Sequence, residues 1–420
     1  MKPIVKNTKN DYIWNSIGVL SQSATSPALL VIVARFHGDE GLIIFSYLFS
    51  LSLILWAINL WGGRTYQVSD LRKEFTVTGY LMVRLLFAIM VLILALLIGI
   101  IEGFSGETIL LLIFLTLFKV VEAIADTFFG VMQSNDVLFV AGKSLFYKAI
   151  IGVALFTLID FFLRNLILAT LALIIVNTFF LFFYDYRIVR KLTKYHFSRF
   201  IKYITESKTI IKRTWQMALI SIIANITLNI PRIVLAQFHE PALGRFGAIA
   251  LAVTATSLVM TFVIQPKILR ISRQFVAKEY GHLHDSISAT FLLLGGLGIS
   301  AIIVTILLGV PVLTFVFGLD FAGERLALTI IVVGGLLNAV VLLFFNILII
   351  MREMEKFLWL LVITNILLIP ISIWLIAPYS ILGATVAYTI CTLFQSIFSF
   401  IIYRRKISKM RKEQFREIAA

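Results

Sequence analysis

The chain is short of charge, of histidine and of cysteine. Only 14% of its 420 residues are Asp, Glu, Lys or Arg, against about 25% in a soluble globular domain. Its composition is 60% hydrophobic, with a mean hydropathy of +0.99. A soluble enzyme of two or three domains, which the length would otherwise suggest, is thereby excluded. The one cysteine, Cys391, rules out an internal disulfide and a cysteine-built metal site, and it is silent on compartment. His282 and His284 fall in a basic surface loop without further ligands, so no metal centre is expected. Gly142-Lys143-Ser144 ends like a phosphate-binding loop, but Val137 stands where the motif needs glycine, so nothing points to an ATPase. The outer connections, such as Glu102–Glu107 and Ala377–Ser380, are too short for an extracytoplasmic catalytic domain.

Long apolar stretches fill the rest. Twelve of them, each roughly 20 residues and able to cross about 30 Å of hydrocarbon as a helix, fall near 13–35, 42–62, 78–101, 109–132, 143–162, 165–186, 213–236, 243–265, 288–310, 326–350, 357–377 and 380–403. The 37 Lys and Arg sort to one side of them. Arg35, Arg164, Arg245 and Arg325 lie on the other side and Lys119 and Arg232 deep within spans; the remainder fall in the two tails, every second loop and the span ends that adjoin them. Short basic loops stay cytoplasmic, so both termini are expected inside. This placement explains the net charge of +15 without nucleic acid. Lys2, Lys6 and Lys9 precede an apolar segment of full spanning length, which predicts a retained anchor rather than a cleaved signal peptide.

One long cytoplasmic interruption divides the spans six and six. The resulting organisation is an N-terminal bundle (1–186), a linker (187–212), a C-terminal bundle (213–404) and a basic tail (405–420). In the linker Ile188, Leu192, Tyr195, Phe200, Tyr203 and Ile204 recur at helical spacing among basic residues, which predicts a helix lying on the membrane surface; Gln265–Asp285 is a second, weaker instance. The halves echo one another. Trp14 and Trp215 lie 201 positions apart, Ala34-Arg35-Phe36-His37 and Ala236-Gln237-Phe238-His239 202 apart, and Phe45 and Phe246 201 apart. Six spans per half give both copies the same orientation, an architecture suited to alternating access.

Ionisable groups inside a bilayer are the best pointers to function, since each costs about 2.5–3.5 kcal/mol at a helix centre. Span four carries Lys119, Glu122 and Asp126 on one face. One reading is a cavity-facing cluster in which Lys119 contacts an anionic substrate and Glu122 or Asp126 binds H+ or Na+. The other is a Lys119–Glu122 ion pair that lets the helix pack, with Asp126 held by a polar neighbour. Span seven carries Asn225, Asn229 and Arg232, with Pro231 expected to bend the helix; span one has Pro27 in a Ser/Thr/Gln-rich turn and Arg35 near its outer end. Arginine's fork suits phosphate oxygens, whereas Arg35 could equally snorkel to the interface. Asn338, Asn346 and Asn365 read better as contacts between helices than as ligands.

The stretches from Trp14-Asn15-Ser16-Ile17-Gly18 through Phe36-His37-Gly38-Asp39-Glu40-Gly41 to Phe45-Ser46-Tyr47, and the echo from Trp215 to Phe246, carry a resemblance over essentially the whole chain. It resembles the multidrug/oligosaccharidyl-lipid/polysaccharide (MOP) exporter superfamily, and within it the flippases of oligosaccharide repeat units. The related peptidoglycan-precursor flippases have two further spans for which there is no room here. The resemblance implies an all-α membrane protein with twelve helices in two parallel six-helix halves around a central cavity. It also implies transport, without a cofactor, of an undecaprenyl-diphosphate-linked oligosaccharide to the outer leaflet of a bacterial plasma membrane. Its partners would be the lipid-linked substrate, membrane lipids, and a polymerase and glycosyltransferases; the protein would be a monomer. Arg35, Lys119 and Arg232 would then hold the pyrophosphate, Asn225 and Asn229 the sugar, Glu122 and Asp126 a coupling ion, with Pro27 and Pro231 at helix bends. The competing readings are a cation-coupled multidrug exporter and a polysaccharide polymerase or ligase.

Overall fold

The computed structural model describes residues 8–69, 74–193 and 200–419. Among these residues there is no strand, and ten helices are long and apolar enough to cross a membrane. They are α1 (Thr8–Asn59), α3 (Val77–Ile101), α4 (Gly106–Ser134), α5 (Leu138–Leu163), α6 (Leu166–Phe180) with its continuation, α8 (Phe200–Phe238), α9 (Leu243–Val276), α10 (Tyr280–Val304) with its continuation, α12 (Arg325–Ile350) and α13 (Met354–Ala419). Three short helices complete the set: α2 (Gly63–Ser69), α7 (Tyr186–Leu192) and α11 (Val310–Phe317). Phe162, Leu292, Leu307, Phe315 and Trp374 stand exposed on the outside, a placement that suits hydrocarbon and not water.

Ten helices make twelve crossings because two of them double back. The 52 residues of α1 would extend about 78 Å if straight, far beyond a bilayer. The chain reverses at Gly38, whose φ of 65° lies in the left-handed region open to glycine. As a result a Cβ on Gly41 would sit 3.7 Å from the side chain of Val33. In α13 the reversal is at Ser380, φ 49°, and Gln395 Nε2 donates to Thr364 Oγ1 at 2.9 Å across the two arms. Side-chain caps start three of the other helices, α3, α4 and α6: Thr76 Oγ1 accepts from Gly79 N, Ser105 Oγ from Thr108 N, and Asn165 Oδ1 from Ile167 N and Leu168 N.

The chain divides into two compact units, Met1–Asn225 and Ile226–Ala420. In the first, α1 packs along α5 so closely that a Cβ on Gly18 would come 2.3 Å from Gly142 O, the small-residue contact that membrane helices use. The tail of the second unit is not free. Tyr403, Ile407 and Met410 pack on Ile271, Tyr280, Leu283 and Met351, and Arg411 donates to Tyr280 O at 2.8 Å.

Two expectations about the segments between the spans differ from the structure. Of the predicted surface helix, Tyr195 lies outside the described residues, and from Phe200 the chain is already α8, which runs unbroken into span seven. Its first turns are bolted to the N-terminal unit. Ile210 is buried against Tyr80 and Val83, Trp61 Nε1 donates to Ile211 O at 3.4 Å, and Thr76 Oγ1 donates to Glu206 at 3.0 Å. Arg213 pairs with Glu74 at 2.5 Å. Residues 265–285 hold no separate helix either, because α9 simply continues to Val276 and α10 begins at Tyr280.

Candidate functional site

Span four is α4, and the i, i+3 spacing brings its first two charges together. Lys119 Nζ lies 2.8 Å from Glu122 Oε2, with only 7% and 9% of the two side chains exposed. The rings of Phe118, Phe49 and Trp56 surround the ammonium at 4.6, 5.3 and 5.8 Å, contacts worth about 0.5–2 kcal/mol each when desolvated. Glu122 also accepts from Gln22 Nε2 at 3.5 Å, which joins the polar stretch of span one to the charges of span four.

Asp126, one turn further on, leaves this group. Its Oδ2 is 3.4 Å from Arg84 Nη2 and its Oδ1 3.9 Å from Arg64 Nη1. Arg84 is buried and donates in addition to Asn59 O at 2.9 Å and Thr127 Oγ1 at 3.3 Å. Both arginines escape a reading that counts them with the cytoplasmic charges. The available signal was the position of Arg84 inside the apolar run 78–101.

Two more pairs were missed. Lys148 Nζ meets Asp185 Oδ2 at 2.5 Å in the interior of the first unit. Asp185 ends a π-helical turn, Leu181–Asp185, a local widening that occurs often at functional sites. His37 Nε2 lies 2.7 Å from Asp160 Oδ1, and Asp160 is fully buried near the C-terminal end of α5. Lys148 lay too near the basic end of its span to stand out from the cytoplasmic charges.

Glu122 and Lys148 share a small cavity with Gln22, Thr25 and Asn177, closed by Phe118, Phe129 and Leu173. It leaves ≈ 20 Å³ for the centres of water-sized molecules, room for about one or two waters. Its polar walls suit water or a small ion, and its size excludes a sugar.

In the second unit Arg232 is buried on α8. Its Nη1 is 3.5 Å from Asn229 Oδ1 and its guanidinium 5.9 Å from the Phe246 ring. Asn225 is half-buried and donates to Ser221 O at 2.9 Å. Arg35 is exposed. Pro27 and Pro231 both sit inside continuous helix. Asn346 and Asn365 bond backward to Leu342 O and Leu361 O, and Asn338 meets Ser257 Oγ at 3.4 Å. His37 touches Asp160 near the C-terminal end of α5, and His239 touches Ala377 O, at 3.0 Å, beside the reversal in α13. Among the described residues no group of three or more His, Cys, Asp or Glu could hold a metal ion.

No family model matches the chain. Solved structures match it almost from end to end. The MATE multidrug transporter DinF-BH aligns with a TM-score of 0.71 at 16% identity, covering 97% of this chain and 98% of that one. An inward-facing multidrug resistance MATE family transporter of the MOP superfamily gives 0.67 at 12% identity, with 96% and 99% covered. A MOP superfamily transporter from Pyrococcus furiosus gives 0.64 at 15%, with 96% and 95% covered. The fold is therefore that of the MOP transporters, and the chain is an integral membrane protein. In sequence it is similar to a capsular polysaccharide biosynthesis protein, CapF of Staphylococcus aureus, with 27% identity over 311 residues, 72% of this chain and 76% of that protein.

Proposed function

We propose that the chain is a flippase for a polyprenyl-diphosphate-linked oligosaccharide, moving repeat units of a surface polysaccharide from the inner to the outer leaflet of a bacterial plasma membrane. The observation that carries this reading is the similarity to a capsular polysaccharide biosynthesis protein on a MOP transporter fold. The substrate poses a definite problem: a bulky sugar and a diphosphate must cross hydrocarbon while the polyprenyl tail stays in lipid. Two like-oriented halves that rock about a polar cavity solve it. Arg35, Lys119 and Arg232 are the cations assigned to the diphosphate, and Asn225 and Asn229 the amides assigned to the sugar, with Pro27 and Pro231 relaxing the two helices that must bend. Of the acids, Glu122 is the better coupling group for H+ or Na+, because it borders a water-sized cavity. Both termini lie in the cytoplasm, and glycosyltransferases and a polymerase act before and after the protein, which works as a monomer.

Cells lacking the chain are expected to accumulate lipid-linked oligosaccharide on the cytoplasmic leaflet. Wild type restores export, and Arg232→Ala does not. A cation-coupled multidrug exporter is the second reading, favoured by the fold of multidrug transporters. It predicts drug sensitivity that depends on Glu122, with surface polysaccharide unchanged.

A further inference from the structure

At the cytoplasmic end of the N-terminal unit two guanidinium groups converge on one carboxylate. Arg64 and Arg84 stand 3.9 and 3.4 Å from opposite oxygens of Asp126. Arg64, Arg84 and Asp126 sum to one positive charge, and among the described residues Lys119 pairs with Glu122 and Arg213 with Glu74. It is partly open: 23% of the Arg64 side chain and 27% of Asp126 are exposed, against 5% of Arg84. Arg84 lines a recess with Gly62, Gly63, Tyr66, Gln67 and Thr127, with space for about one water. The arginines are held in place by neutral partners, Arg64 Nε by Gln133 Oε1 at 2.7 Å and Arg84 by Asn59 O and Thr127 Oγ1. The Asn59 carboxamide beside them is fully buried with neither of its atoms hydrogen-bonded among the described residues.

Two pre-positioned guanidinium forks and a surplus charge are what a phosphate group recognises. A carboxylate between them is the resident stand-in for such an anion. We propose that Arg64 and Arg84 form a binding site for a phosphate or diphosphate group at the cytoplasmic end of the N-terminal unit, with Asp126 occupying it when the anion is absent. Asp126 then competes with the ligand instead of carrying a coupling ion, and the site meets the substrate's diphosphate before translocation. That last assignment rests on the flippase reading; the anion site itself does not.

The test uses full-length protein in nanodiscs of phosphatidylcholine, titrated with inorganic pyrophosphate by calorimetry. Wild type is expected to bind. Arg64→Gln should weaken binding by about tenfold or more, the loss of one charge-assisted contact. Asp126→Asn should tighten it by about tenfold, a direction that a purely structural ion pair does not produce. Arg64 and Asp126 are both partly exposed, so these variants keep the test sound should Arg84→Gln fail to fold. The same titration in nanodiscs containing phosphatidylglycerol separates the sources. Unchanged affinity points to a water-borne diphosphate, and competition points to a phospholipid headgroup; both support the site. No binding by wild type or Asp126→Asn, or an Asp126→Asn variant that binds more weakly, overturns it. Failure of translocation with intact pyrophosphate binding would count against the flippase reading alone.

Discussion

Lys148 and Asp185 form a 2.5 Å ion pair whose side chains are 6% and 0% exposed. Breaking such a pair strands a charge in low dielectric and costs about 3–5 kcal/mol, whereas replacing both partners by apolar groups is often neutral or stabilising. Lys148→Met and Asp185→Leu should therefore each lower the melting temperature and the folded yield sharply. The double variant should recover most of the loss. A double variant that is stable yet inactive would reveal a transport role for the pair that stability alone does not require.

Helix contact in the first unit depends on Gly18 and Gly142. A Cβ on Gly142 would stand 2.2 Å from Trp14 O, with no flexible side chain to yield. Gly142→Ala should cost about 3 kcal/mol, the upper end for overpacking. Gly296 on α10 has nothing within 4 Å of its Cβ position, so Gly296→Ala should be neutral or stabilising by about 0.5–1 kcal/mol. Melting temperatures of the two variants, compared in the same detergent, check the contrast.

A carboxylate between two spans sets a pH signature. Partial burial pushes the Glu353 carboxyl up, but hydrogen bonds from Lys356 and Lys406, both at 2.7 Å, outweigh it and hold the group below its ordinary value of 4.5. A depressed folded value stabilises the protein above the unfolded one and loses that stabilisation as the pH falls through it. Glu353→Gln should lower thermal stability at neutral pH by about 1 kcal/mol or less, as for an accessible ion pair. The difference from wild type should shrink as the pH drops below about 4.5. Melting curves across that range read it directly.

Coupling can be separated from anion binding within one turn of α4. Glu122→Gln removes the acid that borders the small cavity, and export should become independent of the ion gradient. Asp126→Asn should leave the gradient dependence in place. Transport measured with and without an imposed proton or sodium gradient distinguishes the two variants.

The architecture was legible because hydrocarbon imposes one dominant pattern. The run 78–101 is α3 within one residue, and 326–350 is α12 within one residue. The hairpin reversals were legible as breaks between spans, and Gly38 marked one of them. Ser380 gave no such mark, since nothing in its side chain announces a left-handed backbone. Lys119 with Glu122 could be read from i, i+3 spacing alone. The partners of Asp126 could not, because Arg64 and Arg84 come from other segments and local spacing carries no information about them. Lys148 and Asp185, 37 positions apart, escaped for the same reason. The linker misled because its amphipathic pattern fits a membrane surface and a protein surface equally well, and Tyr80 and Trp61 provided the latter.

The most direct measurement follows a fluorescent polyprenyl-diphosphate oligosaccharide placed in one leaflet of sealed vesicles that contain the purified protein. Wild type is predicted to carry it to the other leaflet far faster than protein-free vesicles do. The folded Arg35→Ala/Lys119→Ala/Arg232→Ala variant should leave it at the protein-free rate. Transfer by that variant at the wild-type rate would contradict the assignment of the diphosphate to these cations, and no transfer by wild type would contradict the flippase itself.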